Sequence, residues 1–430
     1  METNRKEIVA VSAVRTPFGK FGGLMKDIDI YDLGSIVMRE SISQIGIDPE
    51  LIDEVWWGCG DTTNCKDPFT PIVARQSMLK AGIPATKTSI TFDKACVSGM
   101  SAAYYAMGRI SIGEVRIVLT GGATSFSTVP FLARDLRWNG NRIGGFSLED
   151  PLLPLGYKDY APVASDGGEV AVCYGVNREE QDEFALSSHL KYGKAHNKGF
   201  FKNEMKPIGI KIKVGRNEEL KMLEIDEQYR SNITYEDLKK LKPIFGNPTI
   251  TAGNAPGLND GAAAQILMDS LTAEQMGFEL LYSILDMTSI AVQPNLLSVA
   301  PALAIKKCLN RSNITLDEID IIEVNEAFAS VPLVTCKLLS CKGFMEEEYS
   351  DTIRKINSYP LDKFDENKYQ ELKSKLNVNG GAVSVGHANT ASGARLMMTA
   401  ANELKRRGGG KAVCAICGGL AQGDACVIRV

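Results

Sequence analysis

The chain has 430 residues, 44% of them hydrophobic and 23% charged, with a formal net charge of −4. That is globular composition, with core-forming material for two or three units of roughly 100–200 residues each. No basic stripe dominates and no apolar run approaches the roughly 20 residues of a membrane helix, which excludes a nucleic-acid backbone and a lipid bilayer as partners.

The first element is an apolar strand over Ile8–Val14. The residues before it lack the apolar core of a secretory signal and the Arg-rich character of a transit peptide, so the expected location is cytoplasmic. Ten cysteines then read as reduced thiols. Residues 34–58 follow as a helix, a turn at Pro49 and a strand. The segment KACVSGMSAAYYAMGRI is a small-residue helix leading into a strand that ends at Gly121 and Gly122.

Residues 301–328 have the layout of 34–58: an amphipathic helix, a polar turn and a β-branched strand. The stretch ANTASGARLMMTAANELKRRGGGKAVCAICGG likewise follows the plan of the cysteine segment, with Ser392–Gly393 answering Ser98–Gly99 and Gly418–Gly419 answering Gly121–Gly122. Two matches in one order indicate a duplicated α/β unit with helices on both sheet faces. Residues 1–270 form the first half, with a polar insertion at about 123–250. Residues 271–430 form the second, with a charged, exposed helical insertion at about 345–376. In the first insertion, NREEQDEFALSSHLKYGKAHN is a helix capped by Asn177, with Glu180 at its third position.

Chemistry in such a fold is expected where strand ends of the halves meet. Cys96 lies between a strand and a helix N-terminus, whose dipole favours a reactive thiolate; a small core cysteine is the competing reading. Of three histidines, His189 and His196 fall on the polar inserted helix and read as surface residues. His387 lies between a strand at Ala382–Val385 and a helix near Asn389, the same kind of junction as Cys96. An imidazole there is placed to take the Cys96 proton, with a helix cap or buried structural histidine as the alternative. Asn325 follows the strand Ile319–Val324, where an amide can orient a water or an oxyanion, or merely cap the next helix. Cys417 ends the last apolar strand. Its C-x2-C spacing with Cys414 raises a zinc site, but neither Cys59 with Cys65 nor Cys336 with Cys341 supplies a persuasive second pair, so no metal is expected.

At these residues the chain resembles the thiolase family of acetyl-CoA C-acetyltransferases and 3-ketoacyl-CoA thiolases. The resemblance runs nearly end to end, through RTPFGKFGG, the Cys96 segment, REEQDEFA, LKKLKPIF, TAGNAPGLNDGAAA, NEAFA, GGAVSVGH with ASGAR, and the closing C-x-G with QG. It implies the thiolase fold: duplicated βαβαβαββ halves in αβαβα layers, with the first insertion as a loop domain over coenzyme A. It implies Cys96 as acylated nucleophile, His387 as its base and Cys417 as the acid–base at the α-carbon. One oxyanion hole comes from Asn325 through a water with His387, the other from the N–H groups of Cys96 and Gly419. Contacts to coenzyme A, a substrate rather than a tightly bound cofactor, fall to Arg230 at the adenine end and to Asp237, Ala255, Pro256 and Phe328. Acyl-CoA substrates and a homodimer or homotetramer are implied as well. This sequence departs from the family at Ala388, where a proline is usual, at Pro256 for a serine, at Ala421 for a glycine, and at Pro162–Val163 in the acyl pocket.

Overall fold

The computed structural model describes residues 6–60, 71–133, 136–140, 142–153, 156–215, 217–356, 359–361 and 363–430. Cys65, weighed above as a zinc ligand, lies outside them. One large mixed sheet runs Thr88–Phe92, Glu54–Gly58, Ile117–Thr124, Asn259–Asp269, Ile8–Arg15, Tyr282–Ala291, Gln422–Arg429, Lys411–Cys417, Ile321–Val324. At its centre Ile8–Arg15 lies antiparallel to Tyr282–Ala291, with Ile8 opposite Ile284. Outward from that seam both sides have the same order: an antiparallel strand, a second antiparallel to it, and a third parallel to the second. The glycine pair Gly418–Gly419 follows Lys411–Cys417, whereas Ile117–Thr124, expected to end at Gly121–Gly122, runs through them. The first side adds Thr88–Phe92 in parallel. The second has a single parallel bridge, Ile322 to Leu376, in the corresponding place.

Three apolar cores explain the layering. Val9 and Val11 face Leu33, Val37 and Met78 of the outer helices Ile30–Ile45 and Val73–Ala81. Their alternating neighbours Ile8 and Ala10 face the central helices Ser98–Ser111 and Ser392–Arg407 through Met100, Ala103, Leu396 and Ala400. On the far side Val324, Val413 and Ala425 pack on Ala300–Ser312 and Ser330–Leu339. Strand alternation sends successive residues to opposite faces, so each sheet half is sandwiched and the αβαβα order follows. The same alternation separates Cys414, in the central core, from Cys417, in the far one.

The first insertion contributes the helices Val163–Cys173 and Arg178–Asn197 and the hairpin Ile208–Val214 with Asn217–Leu223. Asn177 caps the second helix by accepting the Glu180 N–H. A buried ion cluster ties this insertion to the first strand. Arg15, fully buried, reaches Glu204 at 2.7 Å and Asp226 at 2.7 and 3.0 Å. His189, expected at the surface, is buried instead. Its Nδ1 accepts the Arg230 N–H at 3.2 Å, and burial pushes it down to about 4. The helix is polar because it binds polar groups inside the fold, so its composition does not reveal which side faces solvent.

The charged insertion is helical at Tyr349–Lys355 and Glu366–Lys375, but it is more than an exposed appendage. Tyr359, Tyr369, Leu372 and Leu376 are buried in the far core. The buried Lys306 ammonium donates to the Glu347 carbonyl at 2.6 Å and to Phe344 and Thr352. No helix among the described residues is long and apolar enough to cross a membrane.

Candidate active site

The central helices start almost in contact, and glycine makes this possible. A β-carbon on Gly99 would lie 2.4 Å from the Thr390 carbonyl oxygen, and one on Gly393 would lie 2.5 Å from the Met100 nitrogen. Each helix is preceded by one 3-10 turn, Ala95–Val97 and Asn389–Ala391, so the two chain turns abut at the sheet's centre.

Cys96 sits in the first turn, with its Sγ 3.1 Å from His387 Nε2. His387 Nδ1 lies 2.7 Å from Ser392 Oγ, and its backbone N–H donates to Asn259 Oδ1 at 2.8 Å. Gly386, at φ 107°, turns the chain against Asn259, where a β-carbon would stand 2.9 Å from the amide. The strand expected at Ala382–Val385 is one helical turn. Four residues between glycines carry too little periodicity to distinguish the two. The turn is held because the buried Glu326 carboxylate accepts the Val383 N–H at 2.9 Å, with Ser188 and Asn377 as further donors. Aligned on Ser98 and Ser392, the counterpart of Cys96 is Thr390. His387 therefore reaches the site from the loop before that turn and does not occupy the matching position.

Asn325, fully buried, places its amide nitrogen 3.5 Å from His387 Nε2, while its Oδ1 has no hydrogen-bond partner among the described residues. It does not cap the next helix, which begins at Ser330. Cys417 is 2% exposed and shares with Cys96, His387, Gly419, Pro256 and Phe328 the wall of one cavity of about 460 Å³. Ala255 is buried beside Pro256. Arg230 and Asp237 line a second cavity with Tyr229, Ser231 and Leu238. The Gly419 N–H donates to the Lys94 carbonyl at 3.2 Å, so this expected oxyanion donor is already engaged. Leu420 and Ala421 follow it with φ of 51° and 58°; the second stands where the family has glycine, the residue suited to that conformation.

Burial dominates the electrostatics. It pushes His387 down to about 3, with Arg395 adding to the effect, so the imidazole is a neutral base at ordinary pH. It pushes the Cys417 thiol up to about 12. It also raises Cys96 well above the usual thiol value, with neighbouring Cys417 contributing. Burial thus acts against the helix terminus at Cys96. Desolvation outweighs the helix terminus, and the pair rests as thiol and neutral imidazole joined by a hydrogen bond.

Sequence reading passed over two further groups. Lys94 bonds Ser101 at 2.7 Å, Ser289 at 2.9 Å and Asp424 at 3.2 Å, locking the nucleophile turn to both halves. Its only sequence signal is a lysine two residues before the nucleophile, next to Asp93. Tyr157, from the first insertion, reaches the same cavity. Among the described residues no group of three His, Cys, Asp or Glu side chains is placed to hold a metal.

A thiol hydrogen-bonded to a neutral imidazole, with a second thiol in the same cavity, is what acyl transfer through a cysteine requires. The models of the thiolase N-terminal domain and the thiolase C-terminal domain match residues 8–270 and 278–430. The chain belongs to the thiolase family. As a thiolase it is an acyltransferase acting in acyl-CoA metabolism. It is 34% identical over 430 residues to an acetyl-CoA acetyltransferase of Syntrophomonas wolfei, covering 99% of each chain. It is 33% identical over 434 residues to a beta-ketoadipyl-CoA thiolase of Pseudomonas knackmussii, again covering 99% of each. The crystal structure of human mitochondrial 3-ketoacyl-CoA thiolase in complex with CoA matches it with a TM-score of 0.83 at 31% identity, covering 99% of this chain and 98% of that one. Thiolases bind coenzyme A as a substrate.

Proposed function

We propose that this thiolase is an acetyl-CoA C-acetyltransferase, interconverting two acetyl-CoA with acetoacetyl-CoA and CoA through an acyl-Cys96 intermediate. The observation that carries this reading is the 3.1 Å contact of Cys96 Sγ with His387 Nε2 in a cavity shared with Cys417. In thiolysis the Cys96 proton passes to His387, and the thiolate adds to the 3-keto carbon. The C2–C3 bond then breaks, leaving the acyl group on Cys96 and the electron pair on the departing acetyl-CoA enolate. Cys417 gives that enolate its proton, and the protonated state favoured by burial is the one this step needs. CoA then takes the acyl group, giving its thiol proton to the enzyme. Condensation retraces these steps. Asn325 Oδ1 offers an acceptor for a water that, with His387, would stabilise the enolate oxygen. Arg230 and Asp237 would meet the adenine end of the coenzyme, and Ala255, Pro256 and Phe328 its pantetheine arm.

The wall of the cavity supports an uncharged acyl group. Among its described residues Asp93 and Asp166 are acidic, and the one ammonium, Lys94, is held by Asp424. A terminal carboxylate, such as that of a beta-ketoadipyl group, would find no free cation among the described wall residues. The test is thiolysis of acetoacetyl-CoA, 3-ketoadipyl-CoA and longer 3-ketoacyl-CoAs by wild type, Cys96→Ser and Cys417→Ala. Activity greatest on acetoacetyl-CoA and abolished in both variants is expected. A preference for 3-ketoadipyl-CoA would overturn the substrate, and full activity in Cys96→Ser would overturn the mechanism. The expected dimer or tetramer, in the cytoplasm, is checked by light scattering and by cell fractionation.

A further inference from the structure

One departure of this chain from the family, Ala421, lies two residues past Gly419 in the cavity wall. Gly419 spends its N–H on the Lys94 carbonyl, and the two left-handed residues after it hold that turn in place. On the cavity side of Gly419 stands a different donor. A β-carbon at Gly419 would lie 3.0 Å from Tyr157 Oη and 3.2 Å from Ala95 Cβ, which puts the phenol beside the residue that precedes the nucleophile.

We infer that the Tyr157 hydroxyl is a catalytic hydrogen-bond donor to the oxygen of the thioester carried on Cys96, in the place of the engaged Gly419 N–H. The inference rests on the thiolase reading of Cys96. Tyr157 shares the cavity wall with Cys96, Cys417 and Gly419, and its hydroxyl makes no hydrogen bond to any described residue. The residue is 38% exposed, so it can be reached by a ligand, while the hydroxyl end lies against Gly419. Shielding of that end, followed by the neighbouring Cys96, Asp93 and Cys417, holds its pKa above the ordinary tyrosine value, and the phenol keeps its proton as a donor must.

The turn that carries Tyr157 is anchored. The Tyr160 N–H donates to the Tyr157 carbonyl at 3.1 Å, and the helix Val163–Cys173 follows directly. That helix packs Gly167 so closely on Phe328 that a β-carbon would lie 2.9 Å from the ring. When Cys96 adds to a thioester, a C–S bond forms and the carbonyl π pair moves onto oxygen. The phenol stabilises that charge by hydrogen bonding and transfers no proton. The electron pair returns as the CoA thiolate leaves, taking the proton His387 received from Cys96. Donors preorganised on such an oxygen act strongly because they need no reorientation as the charge develops.

The experiment compares wild type with Tyr157→Phe in thiolysis of acetoacetyl-CoA, and then replaces Tyr157 by fluorotyrosines of increasing phenol acidity. Tyr157→Phe is expected to lower kcat about 100-fold, with the KM for CoA and the thermal midpoint unchanged. Across the fluorotyrosine series, measured below each phenol's pKa, kcat should change steadily with acidity, a dependence that a packing role for the ring cannot produce. If wild type is active and Tyr157→Phe stays within threefold of it, or kcat is flat across the series, Tyr157 is not the donor and the thiolase reading stands. If wild type thiolyses no 3-ketoacyl-CoA, both fall together.

Discussion

His387 Nδ1 lies 2.7 Å from the hydroxyl oxygen of Ser392, the first residue of the second central helix. For Nε2 to accept the Cys96 proton, the ring hydrogen must sit on Nδ1 and be donated to Ser392. Ser392→Ala removes that acceptor and frees the ring to adopt the other tautomer. A fall in kcat of about 10- to 100-fold is expected, the scale seen when a group orienting a histidine is lost, with the KM for CoA little changed in steady-state thiolysis.

Two glycines on one helix should respond in opposite directions. Gly99→Ala drives a β-carbon into the Thr390 carbonyl and must push the nucleophile turn away from His387. A loss of about 1–3 kcal/mol is expected in urea unfolding, with thiolysis abolished. Gly108, in the last turns of the same helix, has open space around its β-position. Gly108→Ala should stabilise by about 0.5–1 kcal/mol and leave activity intact.

The buried ion cluster gives a third expectation. Arg15 pairs with Glu204 and Asp226, and Asp226 also accepts from the Phe18 N–H at 2.7 Å and the Tyr192 hydroxyl at 2.9 Å. Glu204→Gln leaves the guanidinium charge short of a partner inside the protein. Breaking a buried pair on one side costs about 3–5 kcal/mol, to be read from denaturant midpoints.

Stability should also depend on Glu323. Both its oxygens lack a hydrogen-bond partner among the described residues, and Arg395 stands 3.5 Å away. Burial pushes the carboxyl up to about 8; Arg395 and Lys191 oppose this, while Glu326 and Glu204 add to it. The folded state therefore binds this proton more tightly than the unfolded chain does. The stability so gained is complete below the ordinary carboxyl value of 4.5 and is lost as pH rises through about 8. Glu323→Gln should weaken the fall in unfolding midpoint between pH 5 and pH 9, to about the extent that this group dominates. An unchanged slope would show that it does not.

His387 supplies the matching prediction for activity. With its imidazole pushed down to about 3, kcat/KM for thiolysis should show no acid limb near the usual histidine value of 6.5. A clear inflection between pH 6 and pH 7 would mean that the ring is more hydrated than the structure has it.

Much of this protein is written in local pattern. The alternation of Ile8–Arg15, the repeated helix and strand layouts, and the Ser–Gly pairs at 98–99 and 392–393 each follow from the chain's own periodicity and small residues. Cys96, His387, Asn325 and Cys417 stand out in the same way, because the element junctions of a duplicated α/β unit have few other reactive groups to offer. What local pattern could not decide was whatever depends on distant neighbours. Ala382–Val385 coils because Glu326 reaches across to Val383, and His189 is buried with its Nδ1 accepting the Arg230 N–H. Cys96 keeps its proton because burial outweighs a helix terminus. The engaged Gly419 N–H and the phenol of Tyr157 meet only after the first insertion folds onto the second half. Backbone propensity and apolar periodicity act over a few residues, whereas desolvation and hydrogen-bond partnership are set by atoms hundreds of residues away in the chain.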